Sequence, residues 1–322
     1  MKKNIAYNYI GDYMKHIFLF ILIVVNIPIM VINFFYSINI SGFVENKINE
    51  LKEEKPIMIR VLKNDNTVEN INLEEYIVGV VSSEEPVYFE DEALKAQAVA
   101  SRTYALKQME NNKENYYDVT DDVRSQVYSS IDKLKERWGS DFDNNYSRIK
   151  KLVNDTKGEY ISYNNEIIYA FYFSTSNGYT EDNKDVFGMD LPYLKVVKSD
   201  DESETDNFYV TKTFSKEEFF DYLGLDYSNN IEVNNIIRTN SNRIKSITIN
   251  NITFNGRDFQ KKLGLRSNDF EIIDNGDISI ITKGFGHGVG LSQYGSNKLA
   301  KEQKNYIEIL NYYYPGTEIK KS

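Results

Sequence analysis

Between Glu84 and Leu106 the chain reads Glu-Glu-Pro-Val-Tyr-Phe-Glu-Asp-Glu-Ala-Leu-Lys-Ala-Gln-Ala-Val-Ala-Ser-Arg-Thr-Tyr-Ala-Leu, and this stretch constrains the fold most. Its second half is dominated by Ala, Leu, Lys and Gln, all strong helix formers. Ala93, Ala96, Ala98, Ala100, Ser101 and Ala105 have little bulk, so neighbours can approach that helix closely from several sides. Such a helix belongs at the centre of a fold. Glu90 and Asp91 fall in or just before its first turn, where negative charge suits the helix dipole. Pro86 marks a boundary and keeps Glu85 out of the α region. Glu84 is therefore predicted on a loop feeding a rigid, buried helix, a common station for catalytic groups. A solvated surface carboxylate is the plain alternative. The crowding of Glu85, Glu90, Asp91 and Glu92 favours a protonated carboxyl nearby. Arg102, on the helix, is expected to reach back toward the same place.

The second constraint lies at the N-terminus. Ile17 to Tyr36 is an apolar run, close to the ~20 residues that span a bilayer. Lys2, Lys3 and Lys15 precede it and favour a cytoplasmic N-terminus. No small-residue cleavage site follows closely, so an uncleaved signal anchor is expected rather than a removed signal peptide. The division that follows is a cytoplasmic end at 1–16, a transmembrane segment at 17–36, a stalk at 37–55 and a globular domain at 56–322, outside the cytoplasm.

Composition narrows the chemistry. The chain has 322 residues, 25 Tyr and 18 Phe, enough for a substantial core. It has no cysteine, which removes disulfides and thiolate zinc sites. Its two histidines, His16 and His287, cannot build a multi-histidine metal centre. A net charge of −10 argues against nucleic acid as partner. No metal and no cofactor are expected.

Further on, Gly158 to Tyr163 and Glu166 to Phe173 are β-rich and flank Asn164-Asn165, which predicts a hairpin. The second run leads into Ser174-Thr175-Ser176-Asn177-Gly178, either an ordinary Ser/Thr turn or a set of donors for sugar hydroxyls. The acidic run Asp200 to Asp206 reads as a solvated loop. Ser215 to Gly224 reads as a capped helix with a glycine stop, and Ile244–Ile249 and Ile278–Ile281 read as strands. Gly284-Phe-Gly-His-Gly-Val-Gly-Leu-Ser-Gln-Tyr-Gly295 predicts tight turns and close backbone approach. No Lys-Ser/Thr follows, so it is not a P-loop. His287, set between glycines, is a candidate site residue. A last helix is expected from about 297 to 312. The whole reads as α+β, a central small-residue helix packed against antiparallel hairpins.

Five segments in order, Glu84-x-Pro86, Glu92 to Tyr104, Ser174-Thr-Ser-Asn-Gly178, Pro192-Tyr-Leu194 and Gly286 to Gly295, resemble the stage II sporulation protein D family. The resemblance spans roughly 56–316. It implies a membrane-anchored lytic transglycosylase that cuts peptidoglycan glycan strands during forespore engulfment. The implied strands are already stripped of stem peptides by the amidase stage II sporulation protein P, with stage II sporulation protein M as a third member. The family's catalytic glutamate matches Glu84. Glu85 stands where the family pattern has Met. Some members bind zinc just before a Gln-Val-Tyr motif; here Asp118 to Tyr128 holds neither Cys nor His, and packing or an Arg124 salt bridge is expected to hold the loop instead. Arg102 and Lys195 are candidates for binding lactyl carboxylates, Tyr193 for stacking on a sugar ring, and Ser174, Ser176, His287 and Gln293 for sugar contacts. The amidase enhancers share this domain, so a non-catalytic glycan-binding module is the competing class. A serine hydrolase using His287 and Ser292 lacks a nucleophile elbow.

Overall fold

A computed structural model of the protein describes residues 14–15 and 56–321, except 200, 201, 204, 206 and 207. The expected transmembrane segment and stalk lie outside the described residues. Among the described residues no helix is long and apolar enough to cross a membrane. Ile57–Ser322 forms one unit, and it mixes helices with mostly antiparallel sheets.

The unit opens with a hairpin, β1 (Met58–Leu62) and β2 (Val68–Asn72). Asn72 then caps α1 (Leu73–Glu84) by accepting the Glu74 N–H at 2.9 Å. After Pro86 comes α2 (Asp91–Asn111), the small-residue helix. Its alanines Ala93, Ala96, Ala98, Ala100 and Ala105 are all fully buried. The absence of bulk lets other elements close on it, as expected. Those elements are chiefly helices, however. α2 packs on α1, on α4 (Phe142–Asp155), on α8 (Gln293–Lys301) and on α9 (Tyr306–Tyr313), with β4 (Glu159–Tyr163) the main strand alongside. An alanine surface accommodates helix and strand alike, so bulk alone could not tell which would come.

The Asn164-Asn165 turn is present, with both residues at positive φ (50° and 67°). It joins β4 to β5, but β5 is only Glu166–Ile167. The predicted second strand breaks there. Its far end, β6 (Tyr172–Phe173), pairs in parallel with β13 (Leu291–Ser292), while β14 (Glu318–Lys321) takes the other edge of β4. A further parallel pair joins β1 to β3 (Val119–Thr120). The expected single C-terminal helix is two helices, α8 and α9, because Gln303 turns at φ 68° and Asn305 starts a new capping box.

Residues 209–283 carry two three-stranded sheets. One holds β7 (Tyr209–Phe214), β11 (Phe270–Asp274) and β12 (Ile278–Lys283); the other holds β8 (Val233–Arg238), β9 (Ile244–Ile249) and β10 (Ile252–Asn255). Between them sit α6 (Lys216–Leu223), with the Ser215 capping box and the left-handed Gly224 stop that the sequence predicts, and α7 (Gly256–Lys262). Phe214, Phe219, Phe220, Ile247, Phe259, Phe270 and Ile280 form the core of this part. The remaining short helices are α3 (Ile131–Trp138) and α5 (Asn183–Phe187).

The glycine loop does make close backbone approaches, but to the protein itself. A Cβ on Gly290 would lie 1.9 Å from the Phe171 carbonyl oxygen, and its φ is +80°. Only glycine lets the loop lie against the chain leading into β6.

Candidate active site

Glu84 is the last residue of α1, not part of a loop. The helix runs on to it, and Glu85 turns extended (φ −121°, ψ 148°), as the following Pro86 demands. Helix α1 carries Gly79 where a Cβ would fall 2.4 Å from the Tyr128 ring and 2.7 Å from the Ser129 carbonyl oxygen. That gap lets the Gln126-Val127-Tyr128 segment lie on α1. The Val127 N–H then reaches Glu84 Oε1 at 2.8 Å.

The surrounding cleft, about 380 Å³, is lined by Ser82, Ser83, Glu84, Glu85, Pro86, Val87, Arg137, Trp138, Ser174, Gln293 and Tyr294. It gathers the acid segment, the end of the Ser-Thr-Ser strand and the start of α8, together with the end of α3. Arg137 brings the positive charge. Its guanidinium donates to the Ser82 carbonyl at 3.0 Å and to Ser129 Oγ at 3.1 Å, closing the end of α1 with a cation.

Burial pushes the Glu84 carboxyl above the ordinary range, against the opposing pull of the Val127 N–H, Tyr172 and Gln293. Tyr172 belongs to a buried polar chain: Gln126 Nε2 donates to the Tyr172 hydroxyl at 3.0 Å, and the Tyr76 hydroxyl donates to Gln126 Oε1 at 3.3 Å. Gln293 Nε2 is buried and has no hydrogen-bond partner of normal geometry. Glu85 is 5 % exposed and neither carboxyl oxygen has a hydrogen-bond partner. Burial first, and the neighbouring Glu84 second, hold its proton far above the ordinary range. The adjacent carboxyls thus share a site that resists a second negative charge.

Of the residues singled out in the sequence, Glu84, Ser174 and Gln293 meet at this cleft. Arg102 does not. It is fully buried and clamps Glu74 through Nε (2.9 Å) and Nη2 (2.7 Å), while Nη1 donates to the Glu159 carbonyl at 3.1 Å. It ties α1 to α2 and β4. Ser176 is fully buried, its N–H donating to Glu202 Oε2 at 2.7 Å and its hydroxyl accepting from Gly178 N–H at 3.0 Å. Tyr193 lies in the core, its ring beside Tyr163 and its hydroxyl accepting from the Tyr169 N–H. Lys195 pairs with Asp182 at 3.2 Å and with Asp190. None of these three lines the cleft, because their motif positions serve packing and turn formation. His287 is likewise held elsewhere, against Phe171, Phe173 and Phe187, with Nδ1 accepting the Val289 N–H at 3.0 Å. Burial, with Arg257 and Arg243 nearby, lowers its pKa to about 3, so the ring is neutral.

Sequence reasoning missed Tyr172, Arg137, Trp138 and Tyr294. The lone Trp138 was the one available signal. The segment from Asp118 to Tyr128 is held by an Arg60–Asp118 ion pair at 2.6 Å and the Thr120 N–H bond to Ser125 Oγ at 3.1 Å. Arg124 does form a salt bridge, to Asp122 at 2.9 Å, but it is local and exposed.

The family model described as "SpoIID: Stage II sporulation protein" matches residues 62–163. Stage II sporulation protein D of Bacillus amyloliquefaciens is 43% identical over 274 residues, covering 83% of this chain and 80% of its own length. Its counterpart in Bacillus subtilis (strain 168) is 42% identical over 277 residues, covering 84% and 81%. An amidase enhancer of the same strain is 28% identical over 297 residues, covering 75% of this chain and 40% of its own. With such identity over most of both chains, the protein belongs to the stage II sporulation protein D family.

Proposed function

We propose that the protein is a lytic transglycosylase of sporulation, cutting the bond between N-acetylmuramic acid and N-acetylglucosamine in peptide-stripped glycan strands, with Glu84 as its acid and base. The observation that carries this reading is the environment of Glu84: a half-buried carboxyl at a helix end, with its pKa raised by desolvation, lining a cleft of about 380 Å³. A raised pKa lets one group donate and then accept a proton near neutral pH. Protonated Glu84 gives its proton to the glycosidic oxygen as the bond to the anomeric carbon breaks. The resulting carboxylate takes the proton of the muramic C6 hydroxyl, whose oxygen bonds to the anomeric carbon. The products are a free sugar hydroxyl and a 1,6-anhydro end, and no water is consumed. A two-carboxylate glycosidase needs a second, ionised group. Burial and the neighbouring Glu84 disfavour the ionised form of Glu85 that such a role needs.

The Tyr172 hydroxyl and Gln293 steady the charged form of Glu84, and Arg137 offers a cation for the strand's carboxylates. Residues 17–36 would anchor this domain to the membrane, facing the cell wall, and an amidase such as stage II sporulation protein P would supply stripped strands, with stage II sporulation protein M alongside. The likeness to an amidase enhancer supports a second reading, a glycan-binding module that does not cut. Mass spectrometry of strands incubated with residues 41–322 separates the two. Anhydro ends with wild type and none with folded Glu84→Gln are expected. Strands bound but intact would mean the binding module, and cleavage surviving in Glu84→Gln would overturn the assignment of the acid.

A further inference from the structure

Within the acidic run from Asp200 to Asp206, expected to be solvated, Glu202 is buried. Glu202 is 3 % exposed and accepts from three separate segments. Ser292 Oγ donates to both of its oxygens, at 2.8 and 3.0 Å. Ser199 Oγ donates at 2.9 Å and the Ser176 N–H at 2.7 Å. Ser292 is the N-cap of α8, accepting the Gly295 N–H at 3.3 Å. The next two residues, Gln293 and Tyr294, line the Glu84 cleft. The fit is close: a Cβ on Gly295 would lie 2.7 Å from Glu202 Oε1 and 2.1 Å from the Tyr313 hydroxyl. Tyr313 in turn exchanges a 2.9 Å hydrogen bond with Ser199.

We propose that Glu202 is a positioning residue that fixes the first turn of α8, and through Ser292 holds Gln293 in register with Glu84. The inference rests on the cleft being the working site. Burying a carboxylate without a cation in hydrogen-bond contact is costly, and the buried, charged Arg243 offers only distant attraction. A neutral residue of similar size would serve packing alone. What the carboxylate provides is several acceptor positions, enough for three donors from three segments at once. The side-chain amide of Gln293, which steadies the charged form of Glu84, is the group whose placement depends on this anchor.

The test is a double-mutant cycle on the soluble domain with peptide-stripped strands, using Glu202→Ala, Gln293→Ala and the pair. Glu202→Ala should lower kcat by about tenfold to a hundredfold, the cost of a small misplacement. In the Gln293→Ala background the same change should add almost nothing. Thermal melts check that each variant is folded at the assay temperature. Losses that multiply, or no loss in Glu202→Ala, would overturn the proposal. Should Glu202→Ala fail to fold, Glu202→Gln, which keeps shape and one carbonyl acceptor, takes its place in the cycle. If the wild type makes no anhydro ends, the cleavage reading fails by itself. The cycle is then read in strand Kd from fluorescence of Trp138, the chain's only tryptophan, which lines the cleft. Non-additive Kd changes uphold the positioning role, and additive ones sink it.

Discussion

Two carboxyls side by side, a half-buried Glu84 held by a backbone N–H and a buried Glu85 held by nothing, define the site at the scale of single residues. Leaving Glu85 without partners costs stability that an apolar side chain of similar length would restore. Glu85→Met should therefore raise stability by about 1–3 kcal/mol, measured by denaturant unfolding; a loss would show that Glu85 has a partner in solution. Glu202 makes a pH prediction. Burial raises its pKa from 4.5 to about 7, so the folded state holds its proton more tightly than the unfolded chain. Its stabilising contribution is full below 4.5 and is lost as pH rises through about 7, roughly 3 kcal/mol in all. His287 acts in the opposite sense, its pKa lowered from 6.5 to about 3. The clean readout is thus the difference between wild type and Glu202→Gln. The variant should gain on wild type as pH rises from 4.5 to 7, and equal pH dependence of the two melting curves would refute the assignment. The sequence pointed to Glu84 by its place before Pro86 and the alanine helix. It gave no hint that Glu202, in a run of acids, would be buried, because burial there depends on donors contributed by Ser176 and Ser292, far away in the chain.

At the scale of elements, the central helix owes its placement to small side chains on several faces and to one large one. Arg102 sits fully buried among them and joins α1 to β4 through Glu74 and the Glu159 carbonyl. Removing it takes the guanidinium away from Glu74 and from the Glu159 and Val153 carbonyls. Arg102→Ala should cost about 3–5 kcal/mol, seen as a lowered midpoint in urea. If folded Arg102→Ala instead lost strand binding with stability unchanged, the residue would belong to the cleft after all. The local signals were readable where they were local: the Asn-Asn turn, the Ser215 cap, the Gly224 stop. Pairings were not, because β6 finds its partner β13 only once the glycine loop has folded back. The split between α8 and α9 was hidden for a related reason, since the Asn305 cap looks like any other polar residue in a helical run.

At the scale of the whole unit, the cleft stands apart from the core built by residues 214–280. The two are linked by buried polar contacts: Asn177 Nδ2 donates to the Ser241 carbonyl (2.8 Å) and Asp269 (2.7 Å), Thr239 donates to Glu181 (2.6 Å), and Arg243 donates to the Tyr179 carbonyl (3.0 Å). A cavity in that core should therefore weaken the fold without reshaping the cleft. Phe259→Ala should cost about 3–5 kcal/mol while kcat and KM of the folded protein hold steady; a changed kcat would reveal coupling through the Asn177 contacts. The α+β character was legible from alternating helical and strand signals, but the grouping of strands into small separate sheets was not.

The glycine loop has a bearing on how such chains diverge. Gly290 is required by the Phe171 carbonyl behind it, and Gly295 by Glu202 and Tyr313. Neither requirement involves a bound sugar. On the proposed function, a descendant of this fold that gave up cutting would still need both glycines to fold, while nothing would require Glu84 to be kept. The conspicuous motif therefore reports ancestry, and on the proposed function Glu84 alone reports whether the chemistry has been kept.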